Sequence, residues 1–411
     1  MTAQEILSQT MVLPNGHVIR NRLVKSAMSE ALGTSDNKPT LALEKLYRRW
    51  ATGGIGLSIT GNVMVDRRAL GEPGNVVIED DQDLEILQKW AMAGRQNGSQ
   101  IWMQINHPGK QAPKGLNRET VAPSAIPFSP ALSRFFAKPR ALENNEIEDI
   151  IGRFGRTAQI AKNAGFSGIQ IHGAHGYLVS QFLSPHHNQR NDNWGGNAGN
   201  RRRFMLETVN EIRRNVGDKF PIGIKLNSAD FQRGGFSEEE SIEALHALQE
   251  VGIDMIEISG GTYEVPAMTG NRNLRESTIK REAYFLGFAE RARKMIKVPL
   301  LLTGGFRTPQ AMASAISSGA IDLVGLGRSL AIEPDLPNRL LSGFMPLYPV
   351  KPLTTGFKFL DKMGILEITW YTRQIQRMGN GQDPSVDESP LFALLGNAFK
   401  MGKQAFKRRR F

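Results

Sequence analysis

Short apolar runs alternate with amphipathic stretches along most of the chain. Runs rich in Val, Ile and Leu predict strands at Arg22–Lys25, Ile55–Thr60, Gln100–Ile105, Gly168–Ile171, Ile222–Leu226, Met255–Ile258, Leu300–Thr303 and Leu323–Leu326. Between them, apolar residues three and four apart predict helices over Leu41–Ala51, Asp83–Asn97, Glu146–Ala164, Arg201–Val216, Glu238–Val251, Glu282–Ile296 and Pro309–Ser318, with a shorter one near Asp335–Leu341. Upstream, Pro14-Asn15-Gly16 between the apolar ends of Val12–Ile19 predicts a hairpin. Strands alternating singly with helices call for a parallel sheet. Eight such units over about 320 residues predict an α/β fold, a (β/α)8 TIM barrel. A doubly wound sheet is the competitor, but no dinucleotide glycine fingerprint follows the first strand, and no solenoid repeat is present.

Two connections are long. Pro108–Leu142 follows strand three and Gly173–Asn200 follows strand four, and a barrel puts both on its catalytic C-terminal face. The expected organisation is a barrel with an N-terminal hairpin over 1–343 and a C-terminal extension over 344–411. In the extension, Thr354–Met378 has mixed helical spacing, Asn380–Pro390 reads as a polar linker, and Leu391–Phe406 is weakly amphipathic ahead of a basic end.

Composition narrows the chemistry. The 411 residues are 40% hydrophobic and 22% charged, ordinary for a globular chain and wrong for a disordered one. There is no cysteine, which excludes disulfides, thiolate zinc sites, iron–sulfur clusters and cysteine nucleophiles. Redox chemistry here would need a non-covalent organic cofactor, or a metal on His and carboxylates. The net charge is +11, of which +6 lies from Lys351 onward, and Lys407-Arg408-Arg409-Arg410 supplies four of those six. The start lacks a signal-peptide pattern and no run approaches a membrane span, so a cytoplasmic location is expected.

The densest chemical signal follows strand four: Ile171-His172-Gly173-Ala174-His175-Gly176-Tyr177. Two imidazoles and a phenol leave the C-terminal end of one barrel strand, where donors and acid–base groups belong. A loop whose His and Tyr merely pack is the bland alternative. A zinc site is weaker, because the pair sits in a Gly-broken turn without a motif glutamate, and no metal is expected. The run continues Gln181-Phe182-Leu183-Ser184-Pro185-His186-His187-Asn188, then Arg190, Asp192, Trp194-Gly195-Gly196, Asn200-Arg201 and Phe204. This resembles the old yellow enzyme family of NADH:flavin oxidoreductases, whose pattern reads H-x-x-[HN]-G-Y-L, Q/E-F-L-[SD]-P, N-x-R-x-D, G-G and N-R-x-R-F. The resemblance covers roughly residues 5 to 340. It implies an FMN-containing barrel that draws hydride from NADPH or NADH and passes it to an electron-poor acceptor, usually an α,β-unsaturated carbonyl.

The resemblance also implies roles for matching positions. Ala27, Met28 and Ser29 stand where the family has Pro-Met followed by Thr or Cys, packing the flavin and approaching its C4 carbonyl oxygen. Ser29 retains a hydroxyl donor for that oxygen. Gly61 takes a position usually held by Ala beside the ring, and Gln104 stands where a Gln pairs with the pyrimidine edge. His107, in Asn106-His107-Pro108-Gly109-Lys110, belongs to the loop architecture. Lys225 replaces the family's usual Arg near the N1/C2 region, keeping the cation but losing the bidentate contact. A lysine inside a short barrel strand also needs a partner on physical grounds. Gly304 and Gly305 after strand seven, with Gly327 and Arg328 after strand eight, form a phosphate cradle where barrels commonly have one. Ser259-Gly260-Gly261 is a possible further contact.

By this resemblance, His172 and His175 hold the acceptor's carbonyl or nitro oxygen, His172 also touches the flavin, and Tyr177 protonates the α-carbon after hydride reaches the β-carbon. Within the family, an NAD(P)H oxidase or a nitroester or quinone reductase is the alternative. Outside it stand a cofactor-free phosphosugar barrel enzyme and docking of the basic tail, interleaved with Phe399, Phe406 and Phe411, on an anionic membrane surface. Nucleic acid is the less favoured partner for the tail. Lack of cysteine selects the cluster-free branch of the family.

Overall fold

The computed structural model describes residues 1–130, 132–262, 264, 282–356, 365–394 and 396. Eight strands form its centre: β1 (Leu23–Lys25), β2 (Leu57–Met64), β3 (Gln100–Asn106), β4 (Gly168–Gly173), β5 (Ile222–Asn227), β6 (Met255–Ser259), β7 (Leu300–Thr303) and β8 (Leu323–Leu326). Each pairs in parallel with its sequence neighbours, and β8 pairs with β1, so the sheet closes into the expected (β/α)8 barrel. The flanking helices are α1 (Leu41–Thr52), α2 (Leu84–Gly94), α3 (Asn144–Asn163), α4 (Ala198–Val216), α5 (Glu238–Glu250), α6 (Leu286–Arg293) and α7 (Pro309–Ser317). Two short helices follow β8, α8 (Arg328–Ile332) and α9 (Leu336–Leu341), and α10 (Ile365–Gly379) lies in the extension.

Side chains alternate between lumen and outer face along each strand. Inward at the N-terminal end are Val24, Leu57, Ile59, Trp102, Met255, Leu301 and Leu323. Leu13 and Ile19 of the hairpin join this cluster and plug the barrel from below. Outward residues such as Met103, Ile105, Ile169, Ile171, Ile224, Ile256 and Leu302 belong to the larger core shared with the helices. Trp102 fills the lumen because its neighbours lack side chains. A Cβ at Gly168 would sit 2.5 Å from its indole nitrogen, and one at Gly223 2.7 Å from its ring.

The loop after β4 shows what most of the family pattern does physically. Asn188 Nδ2 donates to the carbonyls of Phe182 (2.8 Å) and Trp194 (2.7 Å). Arg190 pairs with Asp192 and donates to the carbonyls of Pro123 and Leu142. Arg201 ties α4 to the carbonyls of Leu183 and Gly196 and to Glu240. These residues hold a long loop in one shape over the barrel mouth.

Element ends moved where side chains compete with periodicity. Strand β2 runs four residues past the expected Thr60, with a register irregularity between Ile59 and Asn62. Helix α6 is much shorter than Glu282–Ile296, because Glu282 has a left-handed φ of 61° and its carboxylate accepts from the amides of Arg307 and Thr308. In the extension, Trp370, Tyr371, Ile375 and Met378 of α10 are buried in the barrel's main core, where α10 lies against α1. Most of Leu391–Phe406 and the entire basic end, including Phe399, Phe406 and Phe411, lie outside the described residues. No helix among the described residues is long and apolar enough to cross a membrane.

Candidate active site

Above the apolar plug the lumen turns polar. Gln104 Nε2 donates to Gln170 Oε1 (2.7 Å), and Gln170 Nε2 donates to Glu257 Oε2 (2.7 Å). The other carboxylate oxygen of Glu257 faces Lys225 Nζ (3.2 Å) and accepts from the Thr303 hydroxyl (2.6 Å), which meets Ser26 Oγ at 2.6 Å. Lys225 therefore has the partner its burial requires. Breaking such a pair would leave a bare charge in a low-dielectric lumen. Gln170 and Glu257 were not singled out from the sequence. Their signal is a polar residue at an inward position of an otherwise apolar run, in Ile169-Gln170-Ile171 and Ile256-Glu257-Ile258.

The imidazole pair stands at the rim above this floor. His172, the inward residue at the end of β4, places Nδ1 2.8 Å from Asn62 Oδ1 and Nε2 3.1 Å from His175 Nδ1. His175 Nε2 meets Ser259 Oγ at 2.8 Å. His175 has a left-handed φ of 61°, and its amide donates to Asn227 Oδ1 (3.1 Å). Holding a non-glycine residue there costs backbone strain, which the flanking contacts must offset. Burial pushes the His175 pKa down to about 3 and that of His172 well below the ordinary value, with the Lys225 charge adding to both. Both rings are neutral at pH 7. The assignment that satisfies every contact is one chain: His172 Nδ1–H donates to Asn62, His175 Nδ1–H to His172 Nε2, and the Ser259 hydroxyl to His175 Nε2. The Tyr177 ring lies 4.6 Å from that of His172. The structure thus gathers His172, His175 and Tyr177. Its imidazole protons point at protein acceptors, so gripping a substrate oxygen requires the rings to exchange those partners.

After β1, Ala27 packs on the lower lumen cluster and Met28 on the main core. Ser29 does not present a free hydroxyl: it donates to the partly buried carboxyl group of Glu72. Next to it, Glu30 accepts from the Tyr47 hydroxyl and from the amide of Gly61 (3.1 Å), and lies 3.9 Å from Lys25. Burial pushes the pKa values of Glu30 and Glu72 upward. Gly61 is required sterically, since a Cβ there would fall 2.5 Å from the Met28 carbonyl oxygen.

The glycines expected to form the phosphate cradle end adjacent strands. Gly304 and Gly305 have φ of 121° and 96°, and a Cβ at Gly305 would fall 1.7 Å from the Glu282 carbonyl oxygen. Gly327 opens α8 with Met28 as its nearest neighbour, at 3.7 Å from a Cβ position. Arg328 donates from Nη1 to Glu367 of α10 (2.8 Å).

One orphan points to a ligand. Asn106 lies two residues beyond Gln104, on the same face of β3. It is buried, and neither atom of its amide has a partner. With the polar floor, the cation of Lys225, the glycine pairs and Arg328, the donor set fits a flat polar heterocycle carrying a phosphate. A separate group, His186, His187 and Glu264, brings its ligand atoms within 4.8 Å of one another. Lys110 Nζ already lies 3.1 Å from His187 Nδ1 and 3.9 Å from Glu264, providing the positive charge there.

A sequence model of the NADH:flavin oxidoreductase / NADH oxidase family matches residues 13–345. The chain is 37% identical over 361 residues to NADH-dependent flavin oxidoreductase iliE of Hypocrea jecorina (strain QM6a), covering 81% of this chain and 88% of that protein. It is 35% identical over 409 residues to NADH-dependent flavin oxidoreductase iccE of Talaromyces variabilis, covering 90% and 98%. Among solved structures, 2-naphthoyl-CoA reductase matches with a TM-score of 0.76 at 28% identity, over 83% of this chain and 53% of that one. The old yellow enzyme homologue from Zymomonas mobilis shares the fold, with a TM-score of 0.71 at 24% identity over 84% and 94%. Since the family model spans the whole barrel and the aligned relatives are covered over most of their length, the chain belongs to the NADH:flavin oxidoreductase / NADH oxidase family of old yellow enzymes, FMN-dependent oxidoreductases that use NAD(P)H as reductant.

Proposed function

We propose that the protein reduces the activated C=C bond of an α,β-unsaturated carbonyl compound. The observation that carries this reading is the neutral His172–His175 pair with Tyr177 beside it, at the rim of β4. FMN supplies the two-electron chemistry when bound, accepting hydride from NAD(P)H and passing it to the acceptor. In this reading Gln104, Lys225 and the His172 edge serve the ring's polar atoms. Ala27, Met28 and Gly61 pack it, and Gly304, Gly305, Gly327 and Arg328 take the phosphate. Ser29 has its hydroxyl on Glu72 and contributes to the flavin only by changing that partner.

The protein's own steps are binding and proton delivery. A carbonyl oxygen entering between the rings takes the N–H that His175 gives to His172, and His172 becomes the second neutral donor when its proton moves from Nδ1 to Nε2 and the Asn62 amide turns to donate to Nδ1. Neutral imidazoles stabilise developing oxyanion character without giving up a full proton. Tyr177 delivers the proton that, with hydride at the β-carbon, converts C=C to CH–CH. The chain contains no cysteine to hold an iron–sulfur cluster, which supports a cluster-free electron path. The Tyr177→Phe variant tests the assignment in separated half-reactions. Flavin reduction by NAD(P)H should stay within about twofold, while oxidation by an enone slows by about two to four orders of magnitude. Equal loss in both half-reactions overturns the role of Tyr177. NAD(P)H consumption that tracks oxygen and ignores the enone would favour an oxidase.

A further inference from the structure

Residues beyond the barrel reach the end of the site that holds Arg328. Among the described residues, Arg328 is engaged through Nη1 alone, by Glu367 Oε2 at 2.8 Å, with both side chains about a quarter exposed. Glu367 sits in the first turn of α10, and α10 is fixed independently of that contact. Trp370, Tyr371, Ile375 and Met378 are buried in the main core. The Trp370 indole donates to the Glu388 carbonyl (2.9 Å), and Arg373 pairs with the Glu388 carboxylate (2.6 Å). Thr372 and Gln376 donate to the carbonyls of Ser29, Glu30 and Ala31 in the loop after β1. One helix therefore touches both the glycine–arginine end and the β1-loop end of the site.

We propose that Glu367 is a positioning residue for FMN, holding Arg328 so that its guanidinium clamps the phosphate. This rests on the FMN assignment above and extends it to a residue outside the matched segment 13–345. An arginine side chain loses substantial rotamer freedom when it docks an anion. A carboxylate on a fixed helix that holds one Nη removes that freedom beforehand and leaves Nε and Nη2 as donors. The opposite effect, in which the Glu367 charge opposes the phosphate dianion, predicts the opposite sign. The two are separable by measurement.

The test titrates full-length apoprotein with FMN and with riboflavin, which lacks the phosphate, following flavin fluorescence. Glu367→Gln should weaken FMN binding roughly tenfold and leave riboflavin binding unchanged. Glu367→Asp should recover part of the lost discrimination. On an Arg328→Gln background, Glu367→Gln should cause no further loss. Equal weakening of both flavins, an unchanged or tighter FMN constant, or a loss that persists without Arg328 each overturns the proposal. Thermal unfolding of each apoprotein is measured first. If Glu367→Gln does not fold, Glu367→Asp carries the comparison, with a smaller selective loss expected and its absence counting against the proposal. Wild-type apoprotein that binds neither flavin would instead remove the flavin assignment itself.

Discussion

Asn106 illustrates how a single residue can be placed for a ligand at the expense of the empty fold. Both polar atoms of its amide are buried without partners. An unsatisfied buried polar group costs about 1–3 kcal/mol. Asn106→Leu, of similar size, should therefore raise the stability of the apoprotein by about that amount while weakening flavin or acceptor binding. Thermal unfolding with and without FMN checks this, and destabilisation of both forms would mean the amide has a structural role. The imidazole chain makes a related point. The sequence places His172, His175 and Tyr177 at one strand end, but only the fold brings Asn62, Asn227 and Ser259 from three other strands to fix their tautomers and backbone. Lys225 likewise demanded a partner by its type alone. That the partner is Glu257, in the next strand run along the sequence and directly opposite Lys225 in the sheet, follows from the parallel register.

At the scale of elements, the period-two pattern explains why the lumen has an apolar base and a polar top. Trp102 spans the base only because Gly168 and Gly223 leave it room. Gly223→Ala should destabilise the protein by about 1–3 kcal/mol through overpacking. Chemical denaturation of the holoprotein measures the shift, and a change below a few tenths of a kcal/mol would mean the indole has space to move. Helix and strand identities were legible because each carries its own periodicity. Their ends were less so, because a cap or a bulge depends on a few side chains. Glu282 shows this: helical spacing includes it, but in the fold its carboxylate serves the amides of Arg307 and Thr308, and α6 begins at Leu286.

For the whole molecule, burial of neutral histidines predicts acid sensitivity. Burial lowers the pKa from 6.5 to about 4 for His107, about 3 for His175 and about 2 for His187, and takes His172 well below 6.5. In the unfolded chain these rings take up protons as the pH drops below their ordinary value. Their contribution to stability is thus fully present above about pH 6.5 and falls as pH drops toward the folded values, by up to about 1.4 kcal/mol per pH unit for each ring. Glu30, Glu72 and Asp230, raised by burial, act in the opposite direction as the pH falls. The melting temperature should fall clearly between pH 7 and pH 5, and a flat or rising profile would overturn this account. By itself the sequence determined the barrel, the strand that bears the histidines and the glycines that follow β7 and β8, because periodicity and motif order are local properties of the chain. The tertiary structure alone decided that Ser29 belongs to Glu72, that Asn62 and Ser259 hold the two imidazoles, and that Glu367 meets Arg328. Each of those contacts joins residues far apart in the chain, and only closure of the barrel and packing of α10 bring them within hydrogen-bond reach.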